Sequence, residues 1–349
     1  MTAEPGPATA WGIRRVWHEG DAVLLADPRL PVPARNELLA SLGAGDDVEP
    51  GDALVVATSG TTGRPRGVVL TFGALLAAAL ASCARLDVDP ERDCWLSILP
   101  LAHIGGLSVI TRCHATRTRF TFDPADPAAT LVSAVPTQLQ RGDVDPRRFR
   151  RVLVGGSADW RAGERPDNVV HTYGMTETAG GLVYDGVPLD GVEVRVDPAD
   201  GQIHVRGPML LRCYRDGTDP KSPDGWLATG DAGRIDEKGR LHVDGRMGDV
   251  IVTGGEKVWP DAVERVVRRH PAVGDVAVAG RPDDEWGHRV VAFVVPADGA
   301  EPPTLDELRG IVKEALPAYA APKQVVIVDS LPRTPIGKVR KSELTVDND

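Results

Sequence analysis

This chain carries the loop Thr58-Ser59-Gly60-Thr61-Thr62-Gly63-Arg64-Pro65-Arg66-Gly67 between two apolar runs, residues 53–57 and 68–71. Apolar runs of this length predict buried strands. Glycines let backbone N–H groups approach an anion, and the hydroxyls and arginines add further donors. The residues after Gly63 are not Gly-Lys-Ser/Thr, so this is not a Walker loop. The pattern predicts a phosphate-binding loop of another kind, although such a cluster taken alone is more often a polar surface loop.

The composition indicates a globular protein of 349 residues, with 42% hydrophobic and 26% charged residues. A chain of this length usually forms about two domains. The net charge of −10 argues against a protein that coats nucleic acid or an anionic membrane through its overall field. Anionic small-molecule ligands must then be bound by local basic groups.

The sequence indicates neither a membrane span nor a signal peptide. The longest apolar stretch, residues 74–81, is far too short to cross a bilayer. The first residues lack the basic and apolar regions of a signal peptide. We therefore expect a cytoplasmic protein with no membrane insertion.

The cysteines show no pattern of a metal site or a disulfide framework. There is no C-x-x-C pair among Cys83, Cys94, Cys113 and Cys213. The simplest interpretation is that they are small core residues.

The first half of the chain has the alternation of an α/β fold. Apolar runs at residues 53–57, 95–99, 151–155 and 169–172 predict buried strands, and residues 74–86 predict a crossover helix. This alternation is typical of a largely parallel sheet, which binds ligands at the carboxyl ends of its strands.

Two further units are expected along the chain. Residues 182–245 show short alternating runs with Asp-Gly turns, which predict a small antiparallel or barrel-like sheet. Residues 248–349 combine an amphipathic helix, strand-like runs and a capping box that begins at Thr304, so they predict a separate α+β unit. The predicted domains are 1–247, with 182–245 as the β-rich part, and 248–349. The first dozen residues are expected to be loose.

A second motif directly follows the predicted strand 169–172 and reads Thr172-Tyr173-Gly174-Met175-Thr176-Glu177-Thr178. The Glu177 carboxylate suits Mg²⁺, which prefers one or two carboxylates together with substrate phosphate oxygens. Thr176 is suited to bond the α-phosphate, and Tyr173 offers a flat face to a purine. Taken alone, the same residues also fit the capped first turn of a helix.

Two shorter motifs follow. In Thr229-Gly230-Asp231, with Gly245-Arg246 after it, a carboxylate can take both hydroxyls of a ribose and an arginine can support it. The stretch Pro332-Arg333-Thr334-Pro335-Ile336-Gly337-Lys338 leads to one lysine near the C-terminus. As isolated features, an Asp in such a turn is usually a turn former and such a lysine is usually surface decoration.

The order of these four motifs resembles that of the adenylate-forming superfamily of acyl-CoA synthetases, luciferases and peptide-synthetase adenylation domains. The resemblance covers about residues 50–345. It implies a large N-terminal domain, a small mobile C-terminal α+β domain and an AMP-forming acid–thiol ligase. ATP, Mg²⁺ and CoA are the implied co-substrates, with no tightly bound prosthetic group.

The resemblance also assigns roles to positions of this chain. Thr176 and Glu177 hold phosphate and Mg²⁺, Lys338 contacts the acyl carboxylate and the α-phosphate, and Gly248 stands at the hinge where many members have Asp. The phosphate loop is assigned to Thr58, Ser59, Gly60, Thr61, Thr62, Gly63 and Arg66. Adenine and ribose are assigned to Gly155, Gly156, Ser157, Ala158, Tyr173, Gly174, Asp231 and Arg246. The pantetheine arm of CoA is assigned to Gly254 and Gly255.

The acyl-binding segments resemble most closely the o-succinylbenzoate–CoA ligases of menaquinone biosynthesis. The resemblance lies in residues 99–112, which begin Leu-Pro-Leu-Ala-His-Ile-Gly-Gly, and in residues 135–139. This acid has two carboxylates; the succinyl one reacts, and the aromatic one needs a cation or bound waters. Arg112 and Arg141 are the candidate cations, and His103 is a candidate for the pocket wall and for catalysis. The alternatives are a solvated helix arginine for Arg112 and a hydrogen-bonded structural histidine for His103.

Three functions stay open at this point. The first is an ATP-dependent acid–CoA ligase for o-succinylbenzoate, or for another aryl or fatty acid. The second is an adenylation enzyme that loads a carrier protein, and the third is a non-catalytic nucleotide or acyl-CoA binder. Retention of Glu177, Asp231 and Lys338 speaks against the binder, and a homo-oligomer is compatible with all three.

Overall fold

The computed structural model describes residues 2–58, 66–155, 165–333 and 339–346. A seven-stranded sheet forms the centre of the N-terminal half. Its strands lie in the order β10 (Val187–Pro188), β9 (Gly180–Tyr184), β8 (Val169–Met175), β7 (Arg151–Gly155), β6 (Leu131–Ala134), β4 (Cys94–Leu96) and β5 (Arg119–Thr121). The five strands from β8 to β5 run parallel, and β9 and β10 are antiparallel to their neighbours. The predicted α/β class and its largely parallel sheet are confirmed.

Helices α3 (Phe72–Arg85) and α4 (Ile104–Thr116) pack against each other and on this sheet. α3 begins where the Thr71 hydroxyl accepts a hydrogen bond from the Ala74 N–H at 3.1 Å, which satisfies one of the free N–H groups of the first turn. α4 buries Val109 and Cys113 against Trp95 of the sheet. The helix predicted at residues 74–86 is therefore confirmed.

The strand predicted at 53–57 lies in a different sheet from the one expected. β2 (Asp52–Thr58) pairs antiparallel with β3 (Arg66–Thr71) and parallel with β1 (Val23–Leu24), and β3 also pairs with β13 (Cys213–Tyr214). The reason is the connection between β2 and β3: residues 59–65 are too few for a parallel crossover, which takes about a dozen residues or more. The phosphate-loop candidate thus joins the two strands of a hairpin.

The expectation of a loose N-terminus is wrong from Pro7 onward. Residues Pro7–Glu19 form α1, which starts with proline, buries Ala10 and Ile13 completely and ends at Gly20 with a left-handed φ of 85°. The Trp17 indole N–H donates to the Ala53 carbonyl at 3.0 Å, which fixes the helix to β2. A second helix, α2 (Val32–Ser41), follows on the surface.

The β-rich part expected at residues 182–245 contains an antiparallel sheet. Its strands are β11 (Glu193–Val196), β12 (Gln202–Arg206), β14 (Leu227–Ile235) and β15 (Leu241–Arg246). Ile203, Val205 and Leu227 join the same buried cluster as Leu54 and Leu70 of the hairpin sheet. This packing places the end of β15 close to the carboxyl end of β8.

The C-terminal unit is α+β, as predicted. Its strands are β16 (Ile251–Thr253), β17 (Glu256–Val258), β18 (Val273–Asp283), β19 (Gly287–Pro296) and β20 (Gln324–Ile327), and its helices are α6 (Pro260–Val267) and α7 (Leu305–Ala315). The predicted capping box at Thr304 is present, since the Glu307 carboxylate accepts from the Thr304 N–H at 2.7 Å. Among the residues that the structure describes, its buried apolar clusters share no member with those before residue 247. We propose the domain boundary at residue 248 on this ground.

The remaining helical elements are short. They are α5 (Pro136–Gln140) and the 3₁₀ turns Pro146–Arg148, Thr176–Thr178, Met247–Asp249, Ala318–Ala320 and Lys341–Glu343. Within the described ranges, none of the helices has the length and apolar character needed to cross a membrane.

A buried ion pair connects the starts of three parallel strands. Asp93, which is 1% exposed, accepts hydrogen bonds from Arg150 at 2.5 and 3.0 Å and from the Thr130 hydroxyl at 2.8 Å. These residues directly precede β4, β7 and β6. Burial acts to raise the pKa of Asp93, but the hydrogen bonds from Arg150, the Asp89 N–H and Thr130 outweigh it, so the pKa lies below its ordinary value.

Asp93→Asn is expected to lower the free energy of unfolding by about 2–4 kcal/mol at pH 7, because it leaves the Arg150 guanidinium without its carboxylate. Urea denaturation measures this loss. Because the folded-state pKa is lowered, the stabilisation is complete above the unfolded-state pKa and fades as the pH falls through the folded-state value. The difference between the two proteins should therefore shrink in acid.

The matched control is Asp145→Asn, which removes the exposed pair between Asp145 and Arg147. Exposed pairs contribute little, so its unfolding midpoint should equal that of the wild type. A similar midpoint shift in both variants would contradict a special role for the buried pair.

Candidate active site

Strand pairing holds the base of the phosphate-loop hairpin. Thr58 ends β2 opposite Arg66, the first residue of β3, and its hydroxyl donates to the Arg66 carbonyl at 3.2 Å. The Arg66 guanidinium lies 3.5 Å from the centroid of the Tyr214 ring and 3.7 Å from the Asp216 carboxylate. The other predicted phosphate-loop residues, Ser59, Gly60, Thr61, Thr62 and Gly63, lie outside the described residues.

The Thr176–Thr178 turn follows β8 at the carboxyl end of the central sheet. The Thr178 hydroxyl accepts from the Met175 N–H at 2.9 Å and donates to the Gly180 carbonyl at 2.6 Å. Gly174 is required here, because an added Cβ would lie 2.0 Å from the Gly180 carbonyl oxygen. The chain then returns as β9, so this is a single 3₁₀ turn between strands and not the first turn of an α-helix.

Glu177 in this turn has a tyrosine partner that sequence analysis does not single out. The Tyr214 hydroxyl donates to Glu177 Oε1 at 3.1 Å. Burial and the charge of Glu177 raise the pKa of Tyr214 to about 12, so the phenol stays a neutral donor at physiological pH. No phosphate or metal motif surrounds Tyr214 in the sequence, and the pairing of β13 with β3 brings it to the site.

Residues of the second and third motifs meet at one carboxylate. The Tyr173 hydroxyl donates to Asp231 Oδ2 at 2.8 Å, and Arg246 Nε lies 2.9 Å from Asp231 Oδ1. The Thr229 hydroxyl accepts from the Asp231 N–H at 3.1 Å, which fixes the backbone of this 6%-exposed residue. Burial and the neighbouring Asp231 charge raise the pKa of Tyr173. The structure therefore joins three residues that are far apart in the chain.

Of the segment 155–158 of the predicted adenine wall, only Gly155 lies within the described residues. Gly155 ends β7 in register with Thr172, and an added Cβ at Gly155 would lie 3.3 Å from the Thr172 hydroxyl oxygen. Gly156, Ser157 and Ala158 lie outside the described residues.

The donor set at the turn fits Mg²⁺ held jointly with phosphates. In the described ranges, no three His, Cys, Asp or Glu side chains gather into a group that could enclose a metal ion. A single half-buried carboxylate, Glu177, stands beside Thr176, and the described residues offer no hydrogen bond or ion pair to its second oxygen. One carboxylate with room for substrate oxygens is the arrangement that Mg²⁺ accepts.

His103 directly precedes α4 and lies beside an ion pair of the N-terminal segment. Asp27 accepts two-pronged hydrogen bonds from Arg29, and His103 Nε2 lies 3.7 Å from the Asp27 carboxylate. Burial lowers the pKa of His103, although the charge of Asp27 acts to raise it, so the ring is neutral at pH 7. Its buried Nε2 has no hydrogen-bond partner in the described part of the chain. The alternative of a structural histidine whose ring is held by a hydrogen bond at Nε2 is therefore not supported.

Arg112 is 6% exposed, which excludes the alternative of a solvated helix residue. Its guanidinium donates to the hydroxyls of Ser82 at 2.9 Å, Ser133 at 3.3 Å and Tyr184 at 3.4 Å, and lies 4.9 Å from the centroid of the Trp95 ring. No carboxylate of the described residues pairs with it. A buried cation with only neutral partners is poorly compensated and favours an anion nearby.

Arg141, the second candidate cation, has a different environment. It caps the C-terminal end of α5 with its side chain exposed, and that side chain forms no hydrogen bond or ion pair within the described ranges. Of the two arginines, only Arg112 is buried, between its own helix α4 and the central sheet.

The C-terminal candidates are partly described. Gly254 and Gly255 form the turn between β16 and β17 with φ of 59° and 86°, values that favour glycine. Gly248 has no left-handed φ, and an added Cβ would meet open space. This conformation does not require glycine there, and its role as a hinge stays a prediction. Lys338 lies outside the described residues.

The four cysteines are buried, as predicted for core residues. Burial raises the pKa of each thiol, and most strongly that of Cys113. They are therefore protonated at physiological pH and enclosed by other side chains.

Comparisons with known proteins identify the family of this chain. The profile of the AMP-binding enzyme family matches residues 23–215, and that of the AMP-binding enzyme C-terminal domain matches residues 262–338. A probable 2-succinylbenzoate–CoA ligase of Mycobacterium tuberculosis is 39% identical over 97% of this chain and 95% of its own length. A 2-succinylbenzoate–CoA ligase of Listeria monocytogenes is 34% identical over 84% of this chain and 69% of its own length.

A solved structure is similar along almost the whole chain. The o-succinylbenzoate CoA synthetase of Bacillus subtilis, in complex with the acyl-adenylate intermediate, superposes with a TM-score of 0.73 at 30% identity. The superposition covers 96% of this chain and 76% of that one. The two relatives named above are 2-succinylbenzoate–CoA ligases, and the chain belongs to the AMP-binding enzyme family, the adenylate-forming enzymes that its motifs resemble.

Proposed function

We propose that this protein is an AMP-forming 2-succinylbenzoate–CoA ligase that supplies menaquinone (vitamin K2) biosynthesis. The succinyl carboxylate attacks the α-phosphorus of ATP and expels pyrophosphate. The CoA thiol then attacks the acyl carbonyl of the adenylate and expels AMP. The observation that carries this proposal is the convergence of Tyr173, Asp231 and Arg246 beside the Glu177 turn, at the carboxyl end of β8.

The nucleotide is held from its ribose to its phosphates in this proposal. Asp231 accepts the ribose hydroxyls, since an ionised carboxylate offers about four acceptor sites for hydrogen bonds. The Tyr173 ring covers the adenine. Arg66 and Thr176 supply a guanidinium and a hydroxyl donor to the phosphates.

Two groups neutralise charge at the reacting atoms. Bound at Glu177, Mg²⁺ would supply positive charge to the phosphate oxygens and so reduce the repulsion between two anions. Lys338 does the same for the acyl carboxylate and the α-phosphate. No protein nucleophile takes part, which agrees with four buried and protonated cysteines.

The acyl end is assigned to the environment of Arg112. The acid carries an aromatic carboxylate that does not react and must be kept out of the reacting position. Arg112 is a buried cation that at present bonds only neutral hydroxyls, so a second carboxylate would supply the missing negative charge. The neutral His103 ring forms part of the pocket wall. Mg²⁺ as the metal and the cytoplasm as the location stay predictions.

Pyrophosphate release with ATP, Mg²⁺ and a panel of acids, with and without CoA, tests the proposed function. We expect strong CoA-dependent turnover confined to 2-succinylbenzoate, with benzoates, fatty acids and amino acids near background. Preference for another acid would support the acid–CoA ligase activity but contradict a role in menaquinone biosynthesis. Transfer to a phosphopantetheinyl protein without turnover of free CoA would identify a carrier-loading enzyme, and silence with every acid would favour a binding protein.

Lys338→Ala is expected to slow adenylation by about 10²–10³-fold, the usual loss for one electrostatic donor, because the lysine acts on the first half-reaction. Thioester formation from supplied acyl-adenylate should continue at the wild-type rate. Single-turnover measurements of each half-reaction make the comparison. Equal damage to both half-reactions would show that the assignment is wrong.

Arg112→Met is expected to lower kcat/KM for 2-succinylbenzoate by about 10–100-fold relative to 4-oxo-4-phenylbutanoate, the same acid without the ring carboxylate, because a hydrogen bond to a charged group is lost. The ratio of the two substrates is the readout, so a general loss of activity cancels. Arg141→Met is the matched control and should keep the wild-type ratio. An unchanged ratio in Arg112→Met would remove Arg112 from the acyl site.

A further inference from the structure

Residues 211–215 lie between two parts of the site and are bonded to both. The Leu211 N–H donates to the Glu177 carbonyl at 2.7 Å, on the side of the turn after β8. The Arg215 N–H donates to the Gly67 carbonyl at 2.7 Å, on the side of the phosphate-loop hairpin. The segment is therefore fixed to the turn and the hairpin together.

Tyr214, in the middle of this segment, contacts a functional side chain on each side. Its ring lies under the Arg66 guanidinium, 3.5 Å from centroid to Cζ, and its hydroxyl donates to Glu177 Oε1 at 3.1 Å. A cation over an aromatic face stabilises that placement, and the hydrogen bond fixes the carboxylate plane. One side chain thus holds two groups that the proposed function assigns to the phosphates.

The hydrogen bond leaves Glu177 able to take a ligand. Tyr214 uses one carboxylate oxygen, and the described residues provide no partner for the other. Outer hydrogen bonds of this kind orient a ligating carboxylate, and their loss typically weakens metal affinity by about 10–100-fold.

We propose that Tyr214 is a positioning residue. Its hydrogen bond orients the Glu177 carboxylate toward the metal-bound phosphates of ATP, and its ring contact couples this orientation to Arg66 at the base of the phosphate loop. This inference rests on the proposed function, because it presumes that ATP and a divalent cation bind at the turn. Tyr214 itself contacts neither the acid nor the reacting phosphorus in this assignment.

Tyr214→Phe tests the proposal, since it removes the hydroxyl and keeps the ring under Arg66. Calorimetric titration of ATP into the full chain at a series of Mg²⁺ concentrations, without acid or CoA, separates binding from turnover. We expect the Mg²⁺ concentration for half-maximal ATP binding to rise about tenfold. Binding of ATP in the presence of EDTA and the melting temperature without ligand should match the wild type.

The matched control is Tyr319→Phe, which removes the hydroxyl of a tyrosine that is 40% exposed in the C-terminal unit. Its Mg²⁺ dependence should be that of the wild type. In a Glu177→Gln background, Tyr214→Phe should cause no additional change, because the carboxylate that it orients is already gone. If Tyr214 only packs, Tyr214→Phe would weaken ATP binding equally in the wild-type and Glu177→Gln backgrounds, and this result would overturn the proposal. An unchanged Mg²⁺ dependence in Tyr214→Phe would overturn it as well.

A double-mutant cycle with Arg66→Met tests the coupling. If the two residues act through one arrangement, the loss of ATP binding in the double variant is smaller than the product of the two single losses. If the loss of ATP binding in the double variant agrees within twofold with the product of the two single losses, Tyr214 is not coupled to Arg66. Failure of the wild-type protein to bind ATP at any Mg²⁺ concentration would instead contradict the proposed function, so the two failures are distinguishable.

Discussion

The site depends on two backbone segments that lie closer together than any side chain would allow. At Gly174 the carbonyl of Gly180 occupies the space of a Cβ, so β8 can reverse into β9 through a single tight turn. That reversal presents Thr176 and Glu177 at the carboxyl end of the sheet. A longer loop would leave the carboxylate without a fixed direction, because loop residues keep more conformational freedom.

The Asp231 carboxylate links two parts of the chain that fold as different sheets. Tyr173 comes from the central parallel sheet, whereas Asp231 and Arg246 are opposite residues on β14 and β15 of the antiparallel sheet. Hydrogen bonds to a charged acceptor are stronger than neutral ones. The Asp231 carboxylate, which is assigned to the ribose, therefore also holds the two sheets together before any nucleotide binds.

Much of the fold could be predicted from local patterns, because apolar runs, capping boxes and Asp-Gly turns act over a few residues. The sheet that contains β2 was not predictable in this way, since partner choice depended on the length of a connection and not on the strand. Local patterns also fail to predict α1, because its sequence favours a helix only weakly and the tertiary burial of Ala10 and Ile13 stabilises it. Tyr214 and the buried state of Arg112 required the tertiary structure, since both depend on neighbours more than twenty residues away in sequence.

The burial of all four cysteines has a practical consequence for following a reaction that consumes a thiol. A protein without accessible thiolate neither exchanges with CoA nor oxidises readily to mixed disulfides. In a mixture of native enzyme and substrates, CoA is then the only thiol open to a colorimetric thiol reagent. Its disappearance can be read continuously against a flat protein background, and the enzyme can be stored without a reducing agent that would obscure that signal.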